Sequence, residues 1–418
     1  MTTTTTAGAV AGKPLRFLSR HSGLSFFPIA LVARLPIAML TLGISAYVAA
    51  VRDSIADGGL AGGCYALGAA IGGPLAGSCA DRFGQRRVGY VLLVANALAV
   101  ASVIATAAGQ LPLLLAVTAL TGLTVIPVGP FARVRWTTVI DAHVPADERT
   151  RVKGAAFGYE TLADELTFVF GPVIVGILSY AAASTPLVAC IAIVVVFGFL
   201  FSRHRSAQMV PRVTAQSASA APLTTLLRSD RFTLIATMTV IGALLGCQVT
   251  SVIAFAQEHG AISNAGLIYA GFGVGSGAAS IGVGLIQTST SLYRRWLAAA
   301  ALAVAVSAAM VMVTETWLLA AVLALLGLGI GPIIVTVYQL AGEHTPAGRD
   351  SLYMSTLSSA LIGGNAIGAA LAGVISEEHG SRWGFAIIVV LSIGLGALAA
   401  VSRWASKWAP RRTADTAP

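Results

Sequence analysis

Apolar stretches long enough to cross a bilayer recur along almost the whole chain, and that recurrence decides what it can fold into. A mean hydropathy of +0.83 over 418 residues, 56% of them hydrophobic and 10% charged, exceeds what a soluble domain of this length can enclose. The bilayer must act as the solvent. At about 20 apolar residues per crossing, the expected spans lie near residues 24–51, 59–80, 88–108, 111–132, 154–180 and 185–202. A second set lies near 232–256, 262–287, 296–313, 317–340, 353–376 and 383–402. The expectation is an all-α membrane protein of twelve transmembrane helices in two pseudo-symmetric six-helix bundles, 24–202 and 232–402. Tails 1–23 and 403–418 and a linker 203–231 complete it.

The 26 basic residues provide an independent check, because short cytoplasmic loops collect Lys and Arg. With the N-terminus inside, the inner set comprises Lys13, Arg16, Arg20, Arg82, Arg86, Arg87, Arg133, Arg135, Arg149, Arg151, Lys153, Arg203, Arg205, Arg212, Arg228 and Arg231. Arg294, Arg295, Arg349, Arg403, Lys407, Arg411 and Arg412 continue it through the second half. Arg52 and Arg382 fall outside, and Arg34 alone falls within an expected span. Both termini are therefore expected to be cytoplasmic, in the cytoplasmic membrane of a bacterium. The net charge of +9 follows from basic loops facing an anionic leaflet and implies no nucleic-acid partner.

Cys64, Cys79, Cys190 and Cys247 fall in expected spans without metal-type spacing, so packing is expected rather than a disulfide or zinc. The N-terminal MTTTTTAGAVAGK lacks the basic-then-apolar order of a cleaved signal and reads as a disordered tail. The linker has the small, polar composition of a flexible connection. Within it, PLTTLLRSDRF places Leu223, Leu226 and Leu227 beside Arg228 and Arg231, a pattern that suits either a short helix on the inner membrane face or a solvated linker.

The halves echo each other. Gly122 to Pro127 (GLTVIP) and Gly327 to Pro332 (GLGIGP) occupy the fourth helix of each six, and Arg86-Arg87 and Arg294-Arg295 follow the second helix of each. Such duplication points to a transporter built from repeats, with its substrate site near the midplane between them.

One loop is more specific. Gly77, then Asp81-Arg82-Phe83-Gly84, then Arg86 and Arg87 stand at the inner end of the second helix. Gly77 permits close helix contact, Asp81 is an anion placed for a helix N-terminus or an Arg, and Gly84 turns the chain. The pattern resembles the Gly-x-x-x-Asp-Arg-x-Gly-Arg-Arg loop of the major facilitator superfamily. That resemblance implies a latch between rocking halves. The chain departs from the pattern at Gln85, leaving the expected ion pair to Arg86 or absent, and the second copy has Ser289 and Leu292 near the places of Asp and Gly. Gly171-Pro172 followed by Gly176 in the fifth helix is similar, in part, to the Gly-Pro motif of the superfamily's antiporters, and either bends the helix or packs it. The fourth helix, with Thr121 and Gly122, lacks the intramembrane Arg of many proton-driven exporters.

Glu160, Asp164 and Glu165 lie inside the fifth apolar stretch. Charges at membrane depth cost about 2.5 to 3.5 kcal/mol each and mark ion, proton or substrate handling. All six histidines fall in expected loops or tails, which leaves these carboxylates as the proton candidates. Glu160 and Asp164 share a helix face, with Glu165 turned about 100° away. Arg34 lies at similar depth, so the expectation is that it pairs with Asp164 or Glu165 and leaves a carboxylate free to exchange protons as its surroundings change. The alternative is a static polar knot.

Polar positions on helices that line the cavity in the resembled family, Tyr47, Thr124, Gln248, Tyr338 and Gln339, are the substrate candidates, with Asn365 on the eleventh helix. Few charges line such a cavity, which suits a hydrophobic or amphipathic small molecule. Three functions stay open: proton-coupled export by a monomer, proton-coupled uptake of a sugar or other metabolite, and a non-transporting receptor or scaffold. No nucleophile and base, metal cluster or phosphate loop points to an enzyme or a cofactor.

Overall fold

The computed structural model describes residues 14–211, 221–261, 264–285 and 291–408. Lys13, Arg212, Ser289, Arg411 and Arg412 lie outside the described residues. Among those described, twelve helices are long and apolar enough to cross a membrane, and there is no strand. They are α1 (Phe26–Arg52), α2 (Ala56–Phe83), α3 (Gln85–Thr106), α4 (Leu111–His143), α5 (Ala146–Ser179) and α6 (Thr185–Arg203) in the first half. The second half holds α7 (Ser229–Glu258), α8 (Ala265–Val283), α9 (Leu292–Met310), α10 (Thr316–His344), α11 (Asp350–His379) and α12 (Ser381–Trp404).

Within each half, small residues let helices meet backbone to backbone, as lipid-embedded bundles require. A Cβ on Gly122 of α4 would lie 2.0 Å from the Tyr65 carbonyl of α2. Its counterpart Gly327 of α10 stands 2.4 Å from the Phe272 carbonyl of α8 by the same measure. The sequence echo is thus a packing echo. In the same way α1 packs on α5 and α7 on α11, while α2 meets α11 and α5 meets α8 across the halves.

Two expectations need correction. The fourth span does not end near residue 132: its helix stops at Leu123, the chain runs irregularly through Thr124 to Pro127, and a second helix runs from Val128 to His143. Pro130 in the first turn starts that second piece, where its missing N–H costs nothing. Arg133 and Arg135 therefore lie on a helix, each 1% exposed, instead of in a basic loop.

In the tail, Pro14–Ser22 is helical, with Leu18 buried and Arg16 and Arg20 exposed. The linker segment forms only one 3₁₀ turn, Leu223–Leu227, because α7 already begins at Ser229. Pro222 sets that turn off, and Leu223 and Leu227 stay exposed.

Candidate functional site

A cavity of about 730 Å³ lies between the halves, lined mainly by α1, α2, α4, α5, α7, α8, α10 and α11, with Asn96 of α3 and Val194 and Gly198 of α6. Its apolar walls include Leu42, Phe168, Val249 and Phe272, and its lining reaches Ala265 and Gly266 at the start of α8, toward the end of the bundle remote from the termini. Arg34, Asp164, Glu165, Tyr338, Asn365 and the serines 355, 358 and 359 give it a polar side.

Two arginines and two carboxylates form a neutral tetrad there. The Arg34 guanidinium donates to the Glu160 carboxylate and stands 3.6 Å from Asp164. Arg133 donates to Asp164 at 2.8 Å, and its guanidinium lies 3.9 Å from the ring centroid of Tyr338, across the divide between halves. Trp136 Nε1 donates to the second Glu160 oxygen at 2.6 Å. Arg34 and Glu160 are 3% and 0% exposed, whereas the Asp164 side chain is 35% exposed toward the cavity. Buried charges persist only when paired and hydrogen-bonded, and each group here neutralises another.

Helix geometry explains which acids meet. Glu160 and Asp164, one turn apart, face α1 and α4; Glu165, turned away from them, accepts from the Ser276 hydroxyl of α8. Arg34 is therefore shared by Glu160 and Asp164, and Glu165 takes no part in that pairing, contrary to one of the two expected arrangements. Arg133 corrects another expectation, that the fourth helix carries no intramembrane Arg. The signal was present: Pro130 in the first turn after the Ile126-Pro127 break marks a helix start, which puts Arg133 and Trp136 one to two turns inside.

The motif loop closes the end of the bundle nearest the termini. Asp81 accepts from the backbone N–H groups of Ser351 and Leu352 at 2.8 and 2.9 Å, at the N-terminus of α11, where unpaired donors and the helix dipole favour an anion. At Gly77 a Cβ would fall 2.4 Å from the Ser351 carbonyl. Gly84 has φ +88°, a conformation that favours glycine.

Gln85 is fully buried, donating to Ser351 Oγ at 3.3 Å and accepting from Arg135 at 2.8 Å. Arg86 does not supply the ion pair sought there: it donates to Tyr90, and none of the ion pairs among the described residues includes Asp81. Arg82 and Arg87 are exposed. Gln339 contributes to the same closure by donating to the Thr150 carbonyl of α5 at 2.8 Å.

Of the substrate candidates, Tyr338 and Asn365 line the cavity. Tyr47 donates to the Ile104 carbonyl, Thr124 accepts from Asn96, Gln248 is fully buried in α7, and Gln339 accepts from Arg295; these four stand outside the lining. Gly171 presses on Ala38 of α1, where its Cβ would lie 2.7 Å from the Ala38 methyl. Pro172 lines the cavity within a continuous α5, and Gly176 has nothing within 4 Å of its Cβ position. Among the described residues the cysteines are free, and no group of three or more His, Cys, Asp or Glu could hold a metal.

A two-bundle, twelve-span helical protein with a central cavity is a membrane transporter in architecture. The chain matches the model of the Major Facilitator Superfamily over residues 26–288 and 240–417 and belongs to that family. A search of curated proteins returned no match. Among solved structures it is similar to the human organic anion transporter MFSD10 (TETRAN), with TM-score 0.70, 15% identity, and 91% of this chain and 99% of that chain covered. A bacterial homologue of the iron transporter ferroportin in an outward-facing state gives TM-score 0.70 at 13% identity, with 91% and 98% covered. The Escherichia coli fucose:proton symporter FucP gives 0.65 at 16%, with 90% and 98% covered. These likenesses establish the fold alone.

Proposed function

We propose that this protein is a secondary transporter of a bacterial cytoplasmic membrane, both termini inside, which exports a small hydrophobic or amphipathic compound in exchange for protons. The observation that carries the reading is Asp164. It is the exposed member of a buried, charge-balanced tetrad, it faces the cavity, and its partner Arg133 also touches Tyr338 of the other half.

A proton or a cationic group arriving at Asp164 competes with Arg133. The freed guanidinium then changes its contact with Tyr338, so occupancy of the cavity reaches the boundary between the halves. Glu160 holds Arg34 in place, and Trp136 orients Glu160. With the basic end cytoplasmic, Asp81 and Gln339 close the inner side while the cavity opens outward. Apolar walls favour an amphipathic cargo over a polyanion, and the partial Gly-Pro motif favours export.

The test is proton movement in inverted vesicles, energised and then challenged with a panel of amphipathic drugs and sugars. Compound-evoked alkalinisation that is lost in Asp164→Asn supports exchange at this residue. The same response in wild type and Asp164→Asn removes Asp164 from coupling, and accumulation of a sugar in right-side-out vesicles replaces export with uptake.

A further inference from the structure

Glu165 is the acid that the tetrad leaves out. None of the ion pairs among the described residues includes it. One carboxylate oxygen takes the Ser276 hydroxyl, and the other, Oε2, is buried with no hydrogen-bond partner. One turn along α8, Ser280 is fully buried, and its hydroxyl also lacks a partner.

The two serine hydroxyls share one place. A Cβ on Gly331 of α10 would lie 2.5 Å from the Ser276 carbonyl, 2.7 Å from Ser280 Oγ and 2.8 Å from Ser276 Oγ, so the absent side chain lets α10 press on α8 where both hydroxyls sit. Glu165 reaches the same hydroxyl from α5. At Gly277 the Cβ position lies 3.6 Å from Oε2 and 2.6 Å from Leu162 Cδ1, so α5 and α8 meet closely beside that oxygen.

We infer that Glu165, Ser276 and Ser280 form a binding site for a monovalent alkali cation, sodium, at the junction of α5, α8 and α10. Hard cations of this kind take carboxylate, hydroxyl and carbonyl oxygens. The site offers one negative charge, so a monovalent ion leaves it neutral at membrane depth, whereas a divalent ion leaves an uncompensated charge there. The same ion gives a partner to both Oε2 and Ser280 Oγ. Because Glu165 belongs to the first half and the serines to the second, a bound ion fastens the halves together beside the outward cavity and must leave when they part.

This site is separate from the exchange at Asp164, and its test reads binding rather than transport, so either idea can fail without the other. Full-length protein in lipid nanodiscs is incubated with radioactive sodium, with choline chloride holding the ionic strength constant. Wild type is expected to bind sodium saturably and to gain thermal stability in NaCl over choline chloride. Ser280→Ala, which removes one neutral oxygen, is expected to weaken binding by about tenfold, and Glu165→Gln to abolish it. Absence of saturable binding to folded wild type, or equal binding in wild type and in both variants, overturns the proposal. Should Glu165→Gln fail to fold, Ser280→Ala decides alone.

Discussion

Replacing Asp81 by Asn tests how the inner closure is held. The carboxylate is 6% exposed and accepts two backbone N–H groups at 2.8 and 2.9 Å from the first turn of α11. Hydrogen bonds to a charged group contribute about 1.5–3 kcal/mol each. Asn retains one acceptor and turns an NH₂ toward the other donor, so about one such bond is lost, together with the dipole attraction of about 0.3–2 kcal/mol. Closure should weaken by about 2–5 kcal/mol, a shift of roughly 30- to 5000-fold in the closed-to-open ratio. Transporter conformers differ by only a few kcal/mol, so such a loss converts a closed inner end into a mixture.

The assay is a distance distribution between spin labels at positions 87 and 294, where Arg87 and Arg294 are exposed on opposite halves, in a background without Cys64, Cys79, Cys190 and Cys247. Wild type should give one short population and Asp81→Asn an added long one, with folding checked by its thermal midpoint. Identical distributions in the two proteins would refute the reasoning and leave the contact at Asp81 without a share in closure.

Two further outcomes are expected. Burial, followed by the nearby Arg135 and Arg205 charges, pushes His204 from its ordinary 6.5 down to about 4. The unfolded chain therefore binds this proton before the folded one does, and stability contributed by the neutral ring is lost as pH falls from about 6.5 to about 4. In detergent melts across that range, His204→Gln should show a shallower acid loss than wild type, and equal slopes would discount the residue. Gly171→Val should lower stability by about 1–3 kcal/mol by driving α5 off Ala38, whereas Gly176→Val, with nothing within 4 Å, should melt like wild type; matching losses would show that the Gly-Pro segment does not pack as described.

Hydropathy and basic asymmetry made the helix count readable, because crossing length and charge placement are properties of the chain itself. The contacts of the motif loop were readable for the same reason: Gly77, Asp81 and Gly84 act through backbone approach, helix dipole and chain direction, which a local pattern encodes. The tetrad was only half readable. Glu160, Asp164 and Arg34 stood out as charges in apolar stretches, and their common helix face follows from spacing.

Arg133 and Arg135 were hidden because they follow two prolines and precede a polar run, which reads as a helix end in one dimension. Tyr47, Thr124, Gln248 and Gln339 show the converse difficulty. Each is a polar residue on an appropriate helix, yet rotation about the helix axis decides between cavity and interior, and weak amphipathicity in membrane helices leaves that rotation unmarked in the sequence.

The irregular stretch from Thr124 to Pro127 has no counterpart in the other half, where α10 continues through Pro332. Val125, Ile126 and Pro127 border the cavity, and here the ladder gives way to a bond from Val128 N–H to the Ile126 carbonyl at 2.8 Å. The duplicated architecture is therefore lopsided: one repeat has a joint at mid-membrane depth and the other a rigid rod. The segment beyond the joint carries Arg133, Arg135 and Trp136 as a single lever. Because the joint is made of main chain, alanine at Thr124, Val125 or Ile126 will pass over it, and its contribution will surface only when Pro127 or Pro130 is replaced.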